Sequence, residues 1–377
     1  MDAGTPVPQV TQPLSPIFKR LSFEDIPGWA HDQHAQAFSA FRLSAIKAAQ
    51  KPYKTGSLGV SQSAFLTAFA AARAMGEVVS SGAAREFFED WFRPYRIVGH
   101  DGFVTGYFEP EVDASLERTD EFSVPLYRKP DDLVKIDPDA PPPGVEQGYA
   151  FARSQGGVLG PYFDRQAIEQ GALSGRGLEI CWLRDPIDAF FIHVQGSARL
   201  KLPDGQVMRV GYAAKSGHPF TGIGRALAEL GELPADGVTM QSIRDWLAAN
   251  PDRQQEIMWR NRSFIFFQEM PGPDAQLGPI GAAKVQLTPG RSIAVDRFLH
   301  TYPTPFFINA PQLTHVTGSP FQKLMIAQDT GSAIIGPARA DLFIGSGNAA
   351  GAIAGSIKHE AEFIALLPAS LIGEQYR

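Results

Sequence analysis

A single cysteine in 377 residues, Cys181, excludes an intramolecular disulfide and any cysteine-based metal cluster. No window reaches the roughly 18 consecutive apolar residues that a membrane-spanning helix requires. Nor is there an excess of basic charge to neutralise a nucleic-acid backbone, since the net charge is -6 and the pI near 5.8. A neutral or mixed-charge substrate fits such a chain better. Residues 1–16, MDAGTPVPQVTQPLSP, lack the basic start and apolar core of an export signal and have no cysteine for a lipid, so they read as an unstructured lead-in. That leaves a cytosolic protein and one whose export signal has been removed both open.

The chain is rich instead in length, glycine and proline. A length of 377 residues exceeds what one hydrophobic core usually supports, so two domains are expected. The 44% hydrophobic and 20% charged shares are those of an ordinary globular protein, and 37 glycines with 30 prolines push toward β structure with many turns. Apolar residues at a 3.6-residue period predict a helix over residues 31–50, with further helices over 61–79 and 84–92. In the last of these, Phe87, Phe88, Trp91 and Phe92 read as a core stripe.

After Gly99 the pattern turns to strands. GFVTGYFEP reads as one strand, short β segments follow to Ile136, and DPDAPPPGVEQG as an exposed loop. A strand is expected over Phe190–Leu202, joined through an Asp204-Gly205 turn to a second over Gln206–Tyr212. Helices are expected over Ile223–Leu230 and Met240–Asn250, the latter capped by Thr239. From Ser263 onward six short apolar runs separated by turns suggest a small closed barrel.

Three aspartates lie in that last region: Asp296 in SIAVDRF, Asp329 in IAQDTGS and Asp341 in ARADLFIG. Each alone reads as turn chemistry, because aspartate at a strand end bonds nearby backbone N–H groups. Two of them bracketing one glycine-rich loop raise a catalytic reading. Glycan hydrolysis generally takes two carboxyl groups, whereas one suffices when the substrate supplies its own nucleophile. His193 and His218 are 25 positions apart with no third ligand at short spacing, which speaks against zinc. The glycines of GIGRAL and GSGNAAG lack the strand, lysine and ribose-binding acid of a phosphate loop. No cofactor is expected.

GYFEPEV at 106–112, FFIHVQGSARLKLPDG at 190–205, VGYAAKSGHPFTGIGRAL at 210–227, NRSFIFF at 261–267 and the three-aspartate region resemble, in the same order, the MltA family of membrane-bound lytic murein transglycosylases. The resemblance runs from about residue 100 to the C-terminus. It implies a mainly β protein with N-terminal helices: a double-psi β-barrel domain built from residues 1–109 and 273–377, with a second, β-barrel-like domain inserted over 110–272 and a glycan groove at their junction. It also implies a single catalytic acid, placed on Asp341, with Asp329 as its supporting neighbour. Asp341 would protonate the oxygen between N-acetylmuramic acid and N-acetylglucosamine, then take a proton from the muramyl C6 hydroxyl, leaving a 1,6-anhydro end.

The same resemblance marks Gln195, Gly196 and Ser197 of VQGSA, Tyr107, Tyr212, Ser216, Asp296 and Gly331 as sugar contacts. Read as residues, Gln195 to Ser197 lie within the expected strand, where a buried amide needs partners anyway. Glu109 joins the substrate-contacting set but departs from the family, which carries threonine there, and as a further acid it bears on a one-acid mechanism. A two-carboxylate hydrolase and an inactive glycan-binding scaffold are the rival readings; the presence of Asp341 weighs against the second. Peptidoglycan strands are the implied partner, with cell-wall synthesis or division proteins as further candidates. A periplasmic monomer is expected, its association with the outer membrane left open.

Overall fold

The apolar period after His31 becomes a helix over His34–Gln50, followed by Leu66–Ala74 and Ser81–Trp91, in a computed structural model that describes residues 13–234, 236–270 and 276–373. The lead-in over 1–16 lies outside the described residues as far as residue 12. The second helix is shorter than expected. Gln62–Phe65 is a 3-10 turn, and the helix stops at Ala74 ahead of Gly76, whose φ of 83° ends the winding. Phe87, Phe88 and Phe92 are buried with Phe38, Phe41, Phe65 and Phe69, while Trp91 stays partly in solvent. Phe38 meets Phe87 at 5.0 Å and 83°, and Phe41 meets Phe92 at 5.5 Å and 90°. Burial of each ring contributes about 2–3 kcal/mol, and the edge-to-face geometry adds to it.

The chain divides into two units. The first comprises Met1–Gly106, Ile280–Phe343 and Ile357–Arg377. Its sheet has nine strands in the order Phe18–Arg20, Phe92–Ile97, Glu362–Pro368, Pro305–Ala310, Phe321–Asp329, Ser292–Val295, Arg339–Ser346, Phe103–Glu109 and Lys358–Glu360. The order does not return on itself, so the expected closed barrel is not formed among the described residues. Both edges are three-residue strands, FKR and KHE, and short charged edges resist further pairing. The first helix and the segment leading into it are fastened to the sheet by polar ties: buried Arg291 donates to Gln36 Oε1 at 3.1 Å and grips Asp32 through two bonds of 2.8 Å, and Asp32 also accepts from Leu324 N at 2.7 Å.

The second unit comprises Tyr107–Pro279 and Ile344–Ser356. The expected boundary between residues 272 and 273 falls outside the described residues. Six strands run in the order Ile265–Met270, Val207–Lys215, Ser197–Lys201, Glu111–Ser115, Glu179–Leu183 and Val124–Tyr127. This sheet curls until its edges meet at one parallel bridge, Arg128 to Phe267, reinforced by an Arg128–Glu269 ion pair of 2.7 Å. The Asp204-Gly205 turn is present: Gly205 has φ 84° and Asp204 accepts from Gln206 N. Thr239 caps its helix by accepting from Ser242 N.

The strand expected over Phe190–Leu202 is corrected. Pro186–Gln195 is a helix, and only Ser197–Lys201 is extended. Asp185 caps the helix by accepting from Ile187 N, Pro186 stands in its first turn, and Gly196 ends it at φ 80°. Ile187, Phe190 and Phe191 then face the helices Ile223–Glu229, Met240–Ala249 and Pro251–Trp259 in one apolar cluster.

Candidate active site

In the first unit, the apolar strand Ser292–Val295 runs between the strands that carry the two candidate acids. Ala294 is in register with Asp329 on the parallel neighbour and with Asp341 on the antiparallel one. Residues paired across strands project to the same face, so both carboxylates flank one methyl group, with Cα atoms about 10 Å apart. A register shift between Ile293 and Ala294 falls at this point, where bulges commonly re-aim a side chain. The strand end is braced from behind by buried Gln328, which donates to Ala40 O at 2.7 Å and Ser44 Oγ at 2.8 Å.

Asp341 is half-buried, and Thr105 Oγ1 donates to its Oδ1 at 2.6 Å. Arg339 Nη2 in turn donates to Thr105 Oγ1 at 2.7 Å, and Nη1 bonds Ala340 O. Loss of solvent is the main influence on Asp341 and pushes its pKa up to about 6. The Thr105 bond and the Arg339 charge oppose the rise, while the charge of Asp329 adds to it. Asp329 Oδ1 accepts from Ala282 N at 2.9 Å, and its carbonyl accepts from the Tyr302 hydroxyl at 2.9 Å. Burial foremost holds that hydroxyl above its usual range.

Asp296 behaves as the turn reading expects. It is buried, with Oδ1 accepting from Phe298 N and Oδ2 from Gly336 N, both at 3.0 Å. Gly331 lies exposed in the loop between Asp329 and Asp341. The unit therefore gathers Asp296, Asp329, Asp341 and Gly331.

The remaining sequence-derived residues lie in the second unit. Gln195 ends its helix with Oε1 accepting from Phe108 N at 3.2 Å, which places it beside Tyr107 and Glu109. Gly196 supplies the left-handed helix end, and Ser197 is buried at the start of the next strand. Tyr212 is 44% exposed on Val207–Lys215. Ser216 is fully buried and accepts from Phe264 N at 3.1 Å, tying two strands together. Glu109 is fully buried. Its Oε1 lies 2.8 Å from Arg209 Nε, and Oε2 accepts from Arg209 Nη2 at 3.0 Å and from Ser346 Oγ at 2.7 Å. Burial is the largest influence on this carboxyl and holds it above its ordinary value, against the opposing Ser346 and Arg209 contacts. His193 packs edge-on to Phe264 at 4.2 Å, whereas His218 bonds the Tyr149 hydroxyl and Tyr162 O. Among the described residues no group of three or more His, Cys, Asp or Glu is arranged to hold a metal ion.

Sequence reasoning missed Thr105, Arg339, Tyr302 and Arg209. A signal existed for Arg339: two residues before Asp341 on a strand, it shares that residue's face. Thr105 was hidden because its partner lies 236 positions away.

The chain matches two family models, the MltA specific insert domain over residues 103–268 and the 3D domain over residues 291–367. A crystal structure of a membrane-bound lytic murein transglycosylase from Agrobacterium tumefaciens is 47% identical, with a TM-score of 0.89 over 96% of this chain and 99% of that one. The Escherichia coli MltA structure with bound chitohexaose is 26% identical, with a TM-score of 0.66 over 95% of each chain. The membrane-bound lytic murein transglycosylase A of Vibrio cholerae is 30% identical over 260 residues, which span 68% of this chain and 62% of that relative. Two family models in the order the motifs demand, and a relative matched along almost its whole length, establish that this chain belongs to the MltA family.

Proposed function

We propose that the chain is a lytic transglycosylase. It cleaves the β-1,4 bond between N-acetylmuramic acid and N-acetylglucosamine in peptidoglycan, with Asp341 acting first as acid and then as base. The observation that carries this reading is the environment of Asp341: a half-buried carboxyl raised to about 6, so that roughly one molecule in ten still holds its proton at pH 7. Protonated Asp341 gives its proton to the glycosidic oxygen as the bond to C1 breaks. The resulting carboxylate removes the proton from the muramyl C6 hydroxyl while that oxygen bonds C1. The proton count returns to its start and no water enters. Thr105 holds the carboxylate in place, while burial foremost, with the charge of Asp329 adding to it, keeps its proton affinity high.

The names of the relatives support peptidoglycan as substrate, and the chitohexaose complex of one supports a β-1,4 glycan. Tyr107, Gln195, Gly196, Ser197 and Tyr212 are proposed to serve the glycan. For Asp296 and Ser216 the bonds described favour roles in holding backbone, and for Glu109 a role in a buried ion pair with Arg209. A double-psi strand path in the first unit, a periplasmic location and contact with the outer membrane also belong to this proposal. No helix among the described residues is long and apolar enough to cross a membrane.

Digestion of purified murein by the wild type and by Asp341→Asn tests the assignment. The wild type is expected to release anhydromuropeptides, and the Asn variant to lose activity by two orders of magnitude or more, roughly the general-acid contribution. The variant stays folded. A carboxyl raised in the native state makes folding more favourable below its unfolded pKa and less so as pH rises toward 6. Neutral Asn removes that loss, so the variant should melt no lower than wild type at pH 7. An active Asn variant would move the acid elsewhere.

A further inference from the structure

Three side chains close to the acid-bearing strands find no use inside the first unit. Phe298 is 67% exposed and Ile335 75% exposed. Arg297, also exposed, holds its guanidinium 5.0 Å over the Phe298 ring centroid and enters no ion pair among the described residues.

The backbone beneath them is fixed, in contrast. The Asp296 carboxylate accepts from Phe298 N and from Gly336 N, so one buried group draws the two segments together. Ser57 N donates to Phe298 O at 2.8 Å, Leu299 N and His300 N donate to Asp296 O, and His300 Nε2 donates to Pro337 O at 2.9 Å. Exposed apolar residues scattered singly carry no meaning. Two of them on segments pinned by a shared carboxylate form a surface prepared in advance for a ligand. Ala294 is the common partner of Asp329 and Asp341, and Arg297 stands three residues further on, in the turn that follows Ser292–Val295, which keeps its Cα within about 11 Å of that alanine's. The surface therefore borders the reacting centre.

Charge selects the ligand. Asp329 and Asp341 make this region unfavourable for an anion unless a cation offsets them, and an exposed arginine pairs with a carboxylate in a planar, two-point geometry. An uncharged sugar ring would leave that guanidinium unused. The murein substituent that combines carboxylates with small apolar side chains is the peptide on the muramyl lactyl group. Resting on the lytic transglycosylase reading, we propose that Arg297, Phe298 and Ile335 form a stem-peptide subsite. Arg297 takes a peptide carboxylate, and Phe298 with Ile335 packs against alanine methyl groups.

The test compares kcat/KM on peptide-bearing murein with that on the same murein stripped by an amidase, for the wild type, Arg297→Gln, Phe298→Ala and the double variant. Both sites of change are exposed side chains, and unaltered melting curves confirm folding before rates are compared. The double variant is expected to lose about tenfold more on the peptide-bearing strands than on the stripped ones. An equal loss on both substrates, or no loss on either, overturns the subsite while leaving the lyase standing. A wild type that makes no anhydro product from either substrate removes the lyase reading, and the subsite with it.

Discussion

Asp341 and Asp329 flank the same alanine, yet their surroundings set them apart. Asp341 accepts one hydroxyl and is otherwise short of solvent, whereas Asp329 accepts a backbone N–H from Ala282 and is tied through its own carbonyl to Tyr302. Because the negative charge of Asp329 raises the pKa of Asp341, Asp329→Asn should let Asp341 ionise at lower pH. The protonated form starts the reaction, so the limb on which rate falls with rising pH should move to lower pH while the product stays anhydro. A pH–rate profile with product analysis checks both. Loss of all turnover with rescue by azide would instead make Asp329 the base of a hydrolase.

At the scale of elements, the buried pair Glu109–Arg209 shows what local pattern cannot supply. Glu109 ends one strand and Arg209 lies on another 100 positions away, and each reads alone as an anomalous charge. Together they form a two-point ion pair, and Arg209 also donates to Leu277 O at 3.0 Å. Removing one partner strands the other in a dry site, so Glu109→Gln should cost about 3–5 kcal/mol by chemical denaturation. Glu109→Gln combined with Arg209→Met should cost less than the two single changes added, because no uncompensated charge remains. Single losses below about 1 kcal/mol would mean that Glu109 is free to serve the substrate. The helix Pro186–Gln195 teaches a different lesson. Its run of aromatic and β-branched residues suits a strand equally well, and the deciding signals were the Asp-Pro start and the Gly196 stop.

Across the whole molecule, the sequence was most informative where interactions are short in range. The helices at His34–Gln50 and Met240–Ala249, the Asp204-Gly205 turn and six of the seven described strands after Ser263, all but Lys358–Glu360, follow from local period and turn chemistry. Whether those strands close into a barrel depends on which edges pair, and edge pairing is a long-range property that apolar runs do not encode. The candidate acids were legible because aspartate recurs at strand ends. Arg339 was within reach of the strand period, two residues before Asp341, but Thr105, which holds the acid's geometry, becomes visible only when residues more than 230 positions apart are brought together. The one-acid mechanism makes a demand on the whole reaction that no single residue reveals: solvent oxygen must never reach the product. Digestion of murein by the wild-type enzyme in water enriched in heavy oxygen, followed by mass spectrometry of the new muramyl ends, measures this directly. The expected ends are one water lighter than reducing ends and carry no heavy oxygen. Reducing ends bearing one heavy oxygen each would contradict the mechanism and make the protein a hydrolase.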